Sequence, residues 1–338
     1  GVNDLNSLTS SLLQIYGSRA NDFMGGSTAS SESVFLRDID ANGYANDLII
    51  TCGACDVGAT NNGAVHVIRD IDKRAGTHDL NNNVNYDLRI YGDAGSDLIT
   101  NTLSSGPGVI IADTDANGFA NDLIIMAPSS AQAGATRGAV YFFKDISAEN
   151  GESIVSGARV DLTILGASNA DQIGLTSGSG NGVQLVNIDG NVVANDLIIT
   201  SYLHDASRSN SGAVYLIRDI NTLSGTLTLN TTTTNYSALW LGSRVDDFLG
   251  DVNFSGSGVQ LVNSDNNAWA NDLLIGASMA DVGRPDSGVV YLVRDINAKA
   301  GNFDLNTATN FDARWAPHHG TRSFLGGTRN SGQGIQLL

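Results

Sequence analysis

The sequence predicts an all-β protein built from tandem repeats, on three observations. A long motif returns at a nearly fixed interval, short apolar runs recur in one order within each interval, and no window holds an apolar i, i+3, i+4, i+7 stripe of helical length. The motif is Asp38-Ile-Asp-Ala-Asn-Gly-Tyr-Ala-Asn-Asp-Leu-Ile-Ile50, and it returns over residues 113–125, 187–199 and 263–275. The Asp ahead of its apolar triplet falls at 47, 122, 196 and 272, so the interval is 75, 74 and 76 residues.

Run A opens each repeat as Val34-Phe-Leu, Val109-Ile-Ile, Val183-Gln-Leu-Val or Val259-Gln-Leu-Val. Run B is the Asp-Leu-Ile-Ile segment that closes the motif. Run C opens on Gly63, Gly138, Gly212 or Gly288, always 16 residues after that Asp. Run D ends in Leu88-Arg-Ile-Tyr-Gly, Leu162-Thr-Ile-Leu-Gly or Leu239-Trp-Leu-Gly. Each run is short, β-branched or aromatic, and bounded by Gly, Asn, Asp and Ser, which is the composition of a strand between turns. An upstream Asp (Asp22, Asp97, Asp171, Asp247) also keeps a fixed distance of 16 residues from the motif, whereas the stretch after run C varies. Rigid spacing marks packed structure and variable spacing a surface connection. Four short strands per repeat, arrayed in series, predict a β-propeller of four-stranded blades, with a stacked solenoid as the alternative. The blades are expected at about 33–92, 108–166, 182–242 and 258–316, with residues 3–17 as an extra run D and 324–338 as a partial blade. Residues 1–338 thus read as one propeller domain whose ring is incomplete in this chain, and the chain is expected to continue beyond Leu338.

Net charge is −17, which argues against nucleic acid and anionic membrane as partners. No run of 18 apolar residues occurs, so no membrane insertion is expected. The chain opens on Gly1 without a signal-like segment and reads as a processed or excised piece. Few lysines, many Asn, Thr and Ser, and possible glycosylation triplets at Asn230, Asn235 and Asn253 suggest a secreted, extracellular or cell-surface protein. Cys52 and Cys55 form a Cys-x-x-Cys pair where the other repeats place Ala127/Ser130, Ser201/His204 and Ala277/Ala280. With no second pair and no βαβ context, it reads as a small disulfide staple or two inert thiols rather than a zinc or redox site.

The motif itself has the logic of a calcium loop: side-chain oxygens at positions 1, 3 and 5, Gly at 6, a backbone carbonyl at 7 and a later acid. Asp38, Asp40, Asn42, the Tyr44 carbonyl and Asp47 fill these roles in the first repeat, and Asp113, Asp115, Asn117, Phe119 and Asp122 in the second. The third offers Asn187, Asp189, Asn191, Val193 and Asp196, and the fourth Asn263, Asp265, Asn267, Trp269 and Asp272. These last two read as weaker sites, with one carboxylate fewer and Val192 or Ala268 in place of Gly. The competing reading is that Asp and Asn only cap their own turns. Recurrence in four copies of an acidic chain favours metal, and hard oxygen donors favour calcium.

The frame resembles the FG-GAP repeat of integrin α-subunit β-propellers and their bacterial relatives. Phe23-Met-Gly25, Phe248-Leu-Gly250 and Phe324-Leu-Gly326 are similar to the FG element, and Leu274-Ile-Gly-Ala-Ser278 to the GAP element, with Ile125-Met-Ala-Pro128 a looser copy. The chain departs from the family by one residue: Asn stands at position 9 (Asn46, Asn121, Asn195, Asn271) and the Asp at position 10. The resemblance implies structural calcium ions on one face. It implies partner binding on the opposite face, made by the B–C loops (52–62, 127–137, 201–211, 277–287) and the D–A loops near 18–32, 93–107, 167–181 and 243–257.

Three further features are read as structural. Repeated Gly-x-Gly pairs (Gly106/Gly108, Gly180/Gly182, Gly256/Gly258, Gly332/Gly334) suggest close backbone approach. The basic–acidic pair after run C (Arg69-Asp70, Lys144-Asp145, Arg218-Asp219, Arg294-Asp295) reads as a strand-end charge pair, and His318-His319 as part of a variable loop. No Ser-His-Asp set is visible, so the expectation is a non-catalytic protein for adhesion, ligand binding or surface assembly, whose partner is a protein, a glycan or neighbouring copies of itself. A lectin or polysaccharide-active enzyme, and a structural subunit of a surface layer or filament, are the alternatives.

Overall fold

A computed structural model describes residues 13–17, 19, 21–26, 32–101, 106–132, 136–176, 180–205, 208–230, 235–251, 258–282 and 285–317. Residues 3–12 of the first run D, Phe324-Leu-Gly326 and the partial blade, Gly256, Gly332, Gly334, His318-His319 and Asn253 lie outside the described residues.

In chain order, β1 (Leu13–Tyr16) precedes the first repeat, β2 (Val34–Arg37), β3 (Asp47–Cys52), β4 (Ala64–Ile68), β5 (Gly76–Asp79) and β6 (Leu88–Tyr91). The second repeat holds β7 (Val109–Ala112), β8 (Asp122–Ala127), β9 (Ala139–Phe143), β10 (Gly151–Ile154) and β11 (Leu162–Leu165). The third holds β12 (Val183–Val186), β13 (Asp196–Ser201), β14 (Ala213–Ile217), β15 (Gly225–Thr228) and β16 (Ala238–Leu241). The fourth holds β17 (Val259–Val262), β18 (Asp272–Ala277), β19 (Val289–Val293), β20 (Gly301–Asp304) and β21 (Ala313–Trp315). Among the described residues the remaining regular structure is short 3-10 turns, so the all-β class is correct.

Runs A to D are strands in every repeat and pair antiparallel in sequence order, β2–β3–β4–β6 in the first. The expectation of four strands per unit needs a correction. Each of the first three sheets gains a fifth, parallel strand from the following repeat: β10 on β6, β15 on β11 and β20 on β16, with β5 on β1 in the same way. These strands escaped the sequence reading because they lie at a sheet edge and stay largely polar and exposed, as Gly151-Glu-Ser-Ile154 shows. Each opens on a glycine with positive φ (Gly76, Gly151, Gly225, Gly301), six residues after the Asp that follows run C.

The sheets stack face to face in series. Alternate residues of β8 show why its run is apolar throughout: Leu123 and Ile125 join Ile49, Val65, Val67 and Leu88 of the preceding sheet, while Ile124 and Met126 join Val183, Leu197 and Ile199 of the next. A strand buried on both faces has no polar face to alternate with. The same exchange repeats between the third and fourth sheets through Ile198, Val214 and Trp240 against Val259, Leu273 and Ile275.

The constant glycines mark inter-repeat contacts. A Cβ on Gly63 would sit 2.4 Å from the Ile99 carbonyl oxygen, and one on Gly212 would sit 2.3 Å from the Leu249 nitrogen. The turns after Asp97, Asp171 and Asp247 therefore dock against the B–C loop of the repeat before them, through bonds such as Ile99 N to Asn62 O (3.1 Å) and Leu249 N to Ser211 O (3.0 Å). Gly108, Gly182 and Gly258 do bring backbones close, each against a carbonyl of its own repeat.

The charge-pair reading of Arg69-Asp70 and its copies is also corrected, because the two side chains diverge. The Arg69 guanidinium donates to the carbonyls of Ile146 and Glu149 in the next repeat (2.7 Å each), and Arg218 does the same to Ile296 and Lys299 (2.7 and 2.6 Å). Lys144 reaches the Asn221 carbonyl. In the first three repeats the basic residue staples one repeat to the next, whereas Arg294 of the fourth donates to Ser264 Oγ of its own repeat (3.1 Å); the Asp belongs to the motif loop.

Candidate metal centres

The loop between runs A and B closes at one end of each sheet, opposite the B–C loop. Its foundation is the buried Asp at position 10, which is at most 1% exposed in all four repeats. Asp47 Oδ2 accepts from the backbone nitrogens of Ile39 and Asp40 (2.7 and 3.1 Å), and its Oδ1 accepts from Asp70 N (2.9 Å). Asp122 accepts from Thr114 N and Oγ1 and from Asp145 N. Asp196 accepts from Ile188 N and Asp219 N, and Asp272 from Ser264 N and Oγ and Asp295 N. One carboxylate thus ties the loop's start to the end of run C.

Above it the side chains of positions 3 and 5 organise the turn alike in every copy. Asp40, Asp115, Asp189 and Asp265 accept from the backbone N of position 5 at 3.1–3.3 Å. The Nδ2 of Asn42, Asn117, Asn191 and Asn267 donates to the Oδ1 of Asn46, Asn121, Asn195 and Asn271. Position 9 then donates to Asp70, Asp145, Asp219 or Asp295. Position 7 differs in role. The Tyr44 and Phe119 carbonyls accept from the N–H of position 9 (2.8 and 2.9 Å). Trp269 lays its indole over Gly190 of the preceding loop, where a Cβ would come within 2.5 Å of the ring; Val193 is half-buried.

The result is an acidic triad in each repeat. Carboxylate oxygens of Asp38, Asp40 and Asp47 lie within 4.8 Å of one another, as do those of Asp113, Asp115 and Asp122. In the third and fourth repeats the triads are Asp189, Asp196 and Asp219, and Asp265, Asp272 and Asp295. Sequence reading missed Asp219 and Asp295 as members. Their signal was the constant 23-residue spacing from the position-10 Asp, and the backbone adds a second: Asp70, Asp145, Asp219 and Asp295 all adopt left-handed φ of 45–52°.

Crowding shows in the electrostatics. Desolvation, then the charges of Asp122 and Asp113, push the Asp115 carboxyl above the usual range against a bond from Asn117 N. Burial pushes Asp196 up, opposed by its two backbone N–H partners. A cation would relieve both. The donor set is all oxygen, which fits a hard divalent ion, so each triad could hold a metal ion.

Elsewhere, Cys52 and Cys55 form a disulfide with Cα atoms 5.5 Å apart. Asn235 Nδ2 donates to the Thr228 carbonyl. No helix among the described residues is long and apolar enough to cross a membrane. No protein-family model and no curated protein matches the chain.

Proposed function

We propose that this chain is part of an extracellular, calcium-stabilised β-propeller of the FG-GAP kind. It binds a protein or glycan ligand, or neighbouring copies of itself, and carries out no catalysis. The observation that supports this reading is the recurrence of an acidic triad at the same end of four stacked sheets. A catalytic site needs one distinct constellation, whereas a feature repeated in every unit serves the units themselves.

Calcium would be held by the acids of each triad. Its contribution would be neutralisation of like charges that the fold brings together. That leaves the opposite end, where B–C loops dock on D–A turns, as the partner face. Loops carried on a rigid scaffold are where binding function concentrates.

The test is a thermal melt of the protein with calcium, with magnesium and with a chelator. Binding at about 100 times the dissociation constant stabilises by roughly 2.7 kcal/mol per site. A melting temperature that rises by several degrees with calcium alone supports the reading. An unchanged melt means the loops are self-capped turns, and calcium leaves the proposal.

A further inference from the structure

Five Asn-Gly pairs occur in the described residues, at Asn42, Asn62, Asn117, Asn150 and Asn181. Asn-Gly is the dipeptide in which a backbone nitrogen most readily attacks the preceding side-chain amide, because glycine offers no Cβ to obstruct ring closure. From sequence the five are equivalent. The fold separates them.

Three are clamped. Asn62 is fully buried and bonded on both sides, its Oδ1 accepting from Val57 N and its Nδ2 donating to the carbonyls of Val57 and Gly92. Gly63 beside it is wedged against Ile99. At Asn150, Arg69 binds the side-chain oxygen and Gly151 N is tied to the Asp87 carbonyl at 2.6 Å, in the parallel pairing between repeats. After Asn181, Gly182 lies against the Gly174 backbone, where a Cβ would come within 1.9 Å of the carbonyl oxygen. Turning any of these backbones breaks packing within or between repeats.

Asn42 and Asn117 are different. Both are exposed, and Gly43 and Gly118 have φ of 89° and 92° with nothing within 4 Å of a built Cβ. Asn150 and Gly151 share that exposure and openness, and it is the tie of Gly151 N to another repeat that sets them apart. Each glycine N–H bonds only within its own loop, to Asp38 or Asp113 at 2.9 Å. The amide carbonyls accept from Tyr44 N and Phe119 N (2.9 Å each), a contact that polarises Cγ toward attack. Their Nδ2 groups are bonded too, Asn42 to Asn46 and Asp70 and Asn117 to Asn121, but these partners all belong to the same repeat. The difference from the protected sites therefore lies in the backbone, which is not tied to another repeat or wedged against packed backbone.

We infer that Asn42 and Asn117 are self-modification sites that deamidate in the folded chain, while Asn62, Asn150 and Asn181 are protected. The Gly43 nitrogen bonds to Asn42 Cγ and gives up its proton to solvent. The Cγ–Nδ2 bond breaks, and Nδ2 leaves as ammonia with a proton from solvent, giving a five-membered succinimide. Water opens either ring carbonyl, yielding Asp or isoaspartate. Water enters, ammonia leaves, and nothing is oxidised or reduced. The Asp product places a further carboxylate beside Asp38 and Asp40; the isoaspartate product lengthens the turn by one carbon. The third and fourth loops, with Val192 and Ala268 after the Asn, escape both fates.

The test is peptide mapping by mass spectrometry of the folded chain, held at mildly alkaline pH with a chelator, beside the same chain in urea. Folded protein should gain about one mass unit at Asn42 and Asn117 at least roughly tenfold faster than at the other three, a difference of about 1.4 kcal/mol in barrier. In urea the five rates should converge. Gly43→Ala should slow Asn42 alone and leave Asn117 unchanged. Equal rates at all five sites in the folded chain, or the same ranking in urea, would overturn the inference.

Discussion

The first two motif loops and the last two reach the same turn by different means at position 1. Asp38 accepts from the backbone nitrogens of Asn42 and Gly43 (3.0 and 2.9 Å), and Asp113 from those of Asn117 and Gly118 (3.2 and 2.9 Å). Asn187 and Asn263 also donate, their Nδ2 reaching the carbonyls of Asn191 and Asn267, while Asn187 Oδ1 still accepts from Gly190 N (3.0 Å). A carboxylate can only accept, so it gathers N–H groups and leaves charge at the loop's centre. An amide can close the loop without charge. The later loops recover their third acid from Asp219 and Asp295, so their triads are displaced toward run C rather than depleted. Losing a carboxylate at one position therefore need not mean losing a site.

The largest expected effect asks whether the loops share one base despite this difference. Asp47→Ala leaves three backbone N–H groups without their acceptor, and Asp196→Ala leaves two, at about 1–3 kcal/mol for each buried group. Both variants should lose roughly 3 kcal/mol or more in urea denaturation with chelator present. A small loss for Asp196→Ala beside a large one for Asp47→Ala would show that the later loops have a different foundation as well as a different rim.

A second contrast separates the first repeat from the others. His66 occupies the position in β4 that Tyr141, Tyr215 and Tyr291 occupy in β9, β14 and β19. Burial, and then the neighbouring Arg89, lower its pKa from 6.5 to about 3. The unfolded chain binds this proton below pH 6.5 and the folded chain does not until about pH 3. The His66 contribution is therefore constant above pH 6.5, and stability falls as pH drops from 6.5 toward 3, by up to about 1.4 kcal/mol per pH unit. His66→Tyr should flatten that slope and move the acid-unfolding midpoint downward. A His66→Tyr protein with an unchanged acid profile would place the sensitivity in the carboxylates instead.

How much of this was legible in sequence follows from what each residue does. Asp47-Leu-Ile-Ile50 announces a strand because continuous apolar side chains serve two sheet faces at once. Asp40 and Asn42 announce the turn through their spacing. Asp70 did not announce its part, because its role depends on a left-handed backbone that turns it away from Arg69 toward Asn46, and adjacency in sequence suggested a pair. Strand β5 was hidden for a related reason. Its pairing with β1 is a backbone matter between repeats, and Gly76-Thr-His-Asp79 carries no apolar pattern to reveal it. Residues that pack declare themselves by type; residues that act through backbone geometry or across repeats do not.

The smallest expected effect goes back to position 1. In Asp38→Asn the amide keeps an acceptor for the turn and gains a donor that can reach the Asn42 carbonyl, as Asn187 reaches that of Asn191. With chelator present this variant should be as stable as the parent or more so, by up to about 1 kcal/mol, the net worth of one hydrogen bond. Its gain on adding calcium should shrink, because a charged oxygen has left the loop. Asn187→Asp should do the reverse: it removes the bond to the Asn191 carbonyl and adds charge near Asp189 and Asp196. Without metal it should be less stable by a similar amount, and its calcium-dependent rise in melting temperature should be larger. If the pair move together instead of in opposite directions, position 1 acts only through the turn, and the metal dependence of these loops rests on the acids at positions 3 and 10 and after run C.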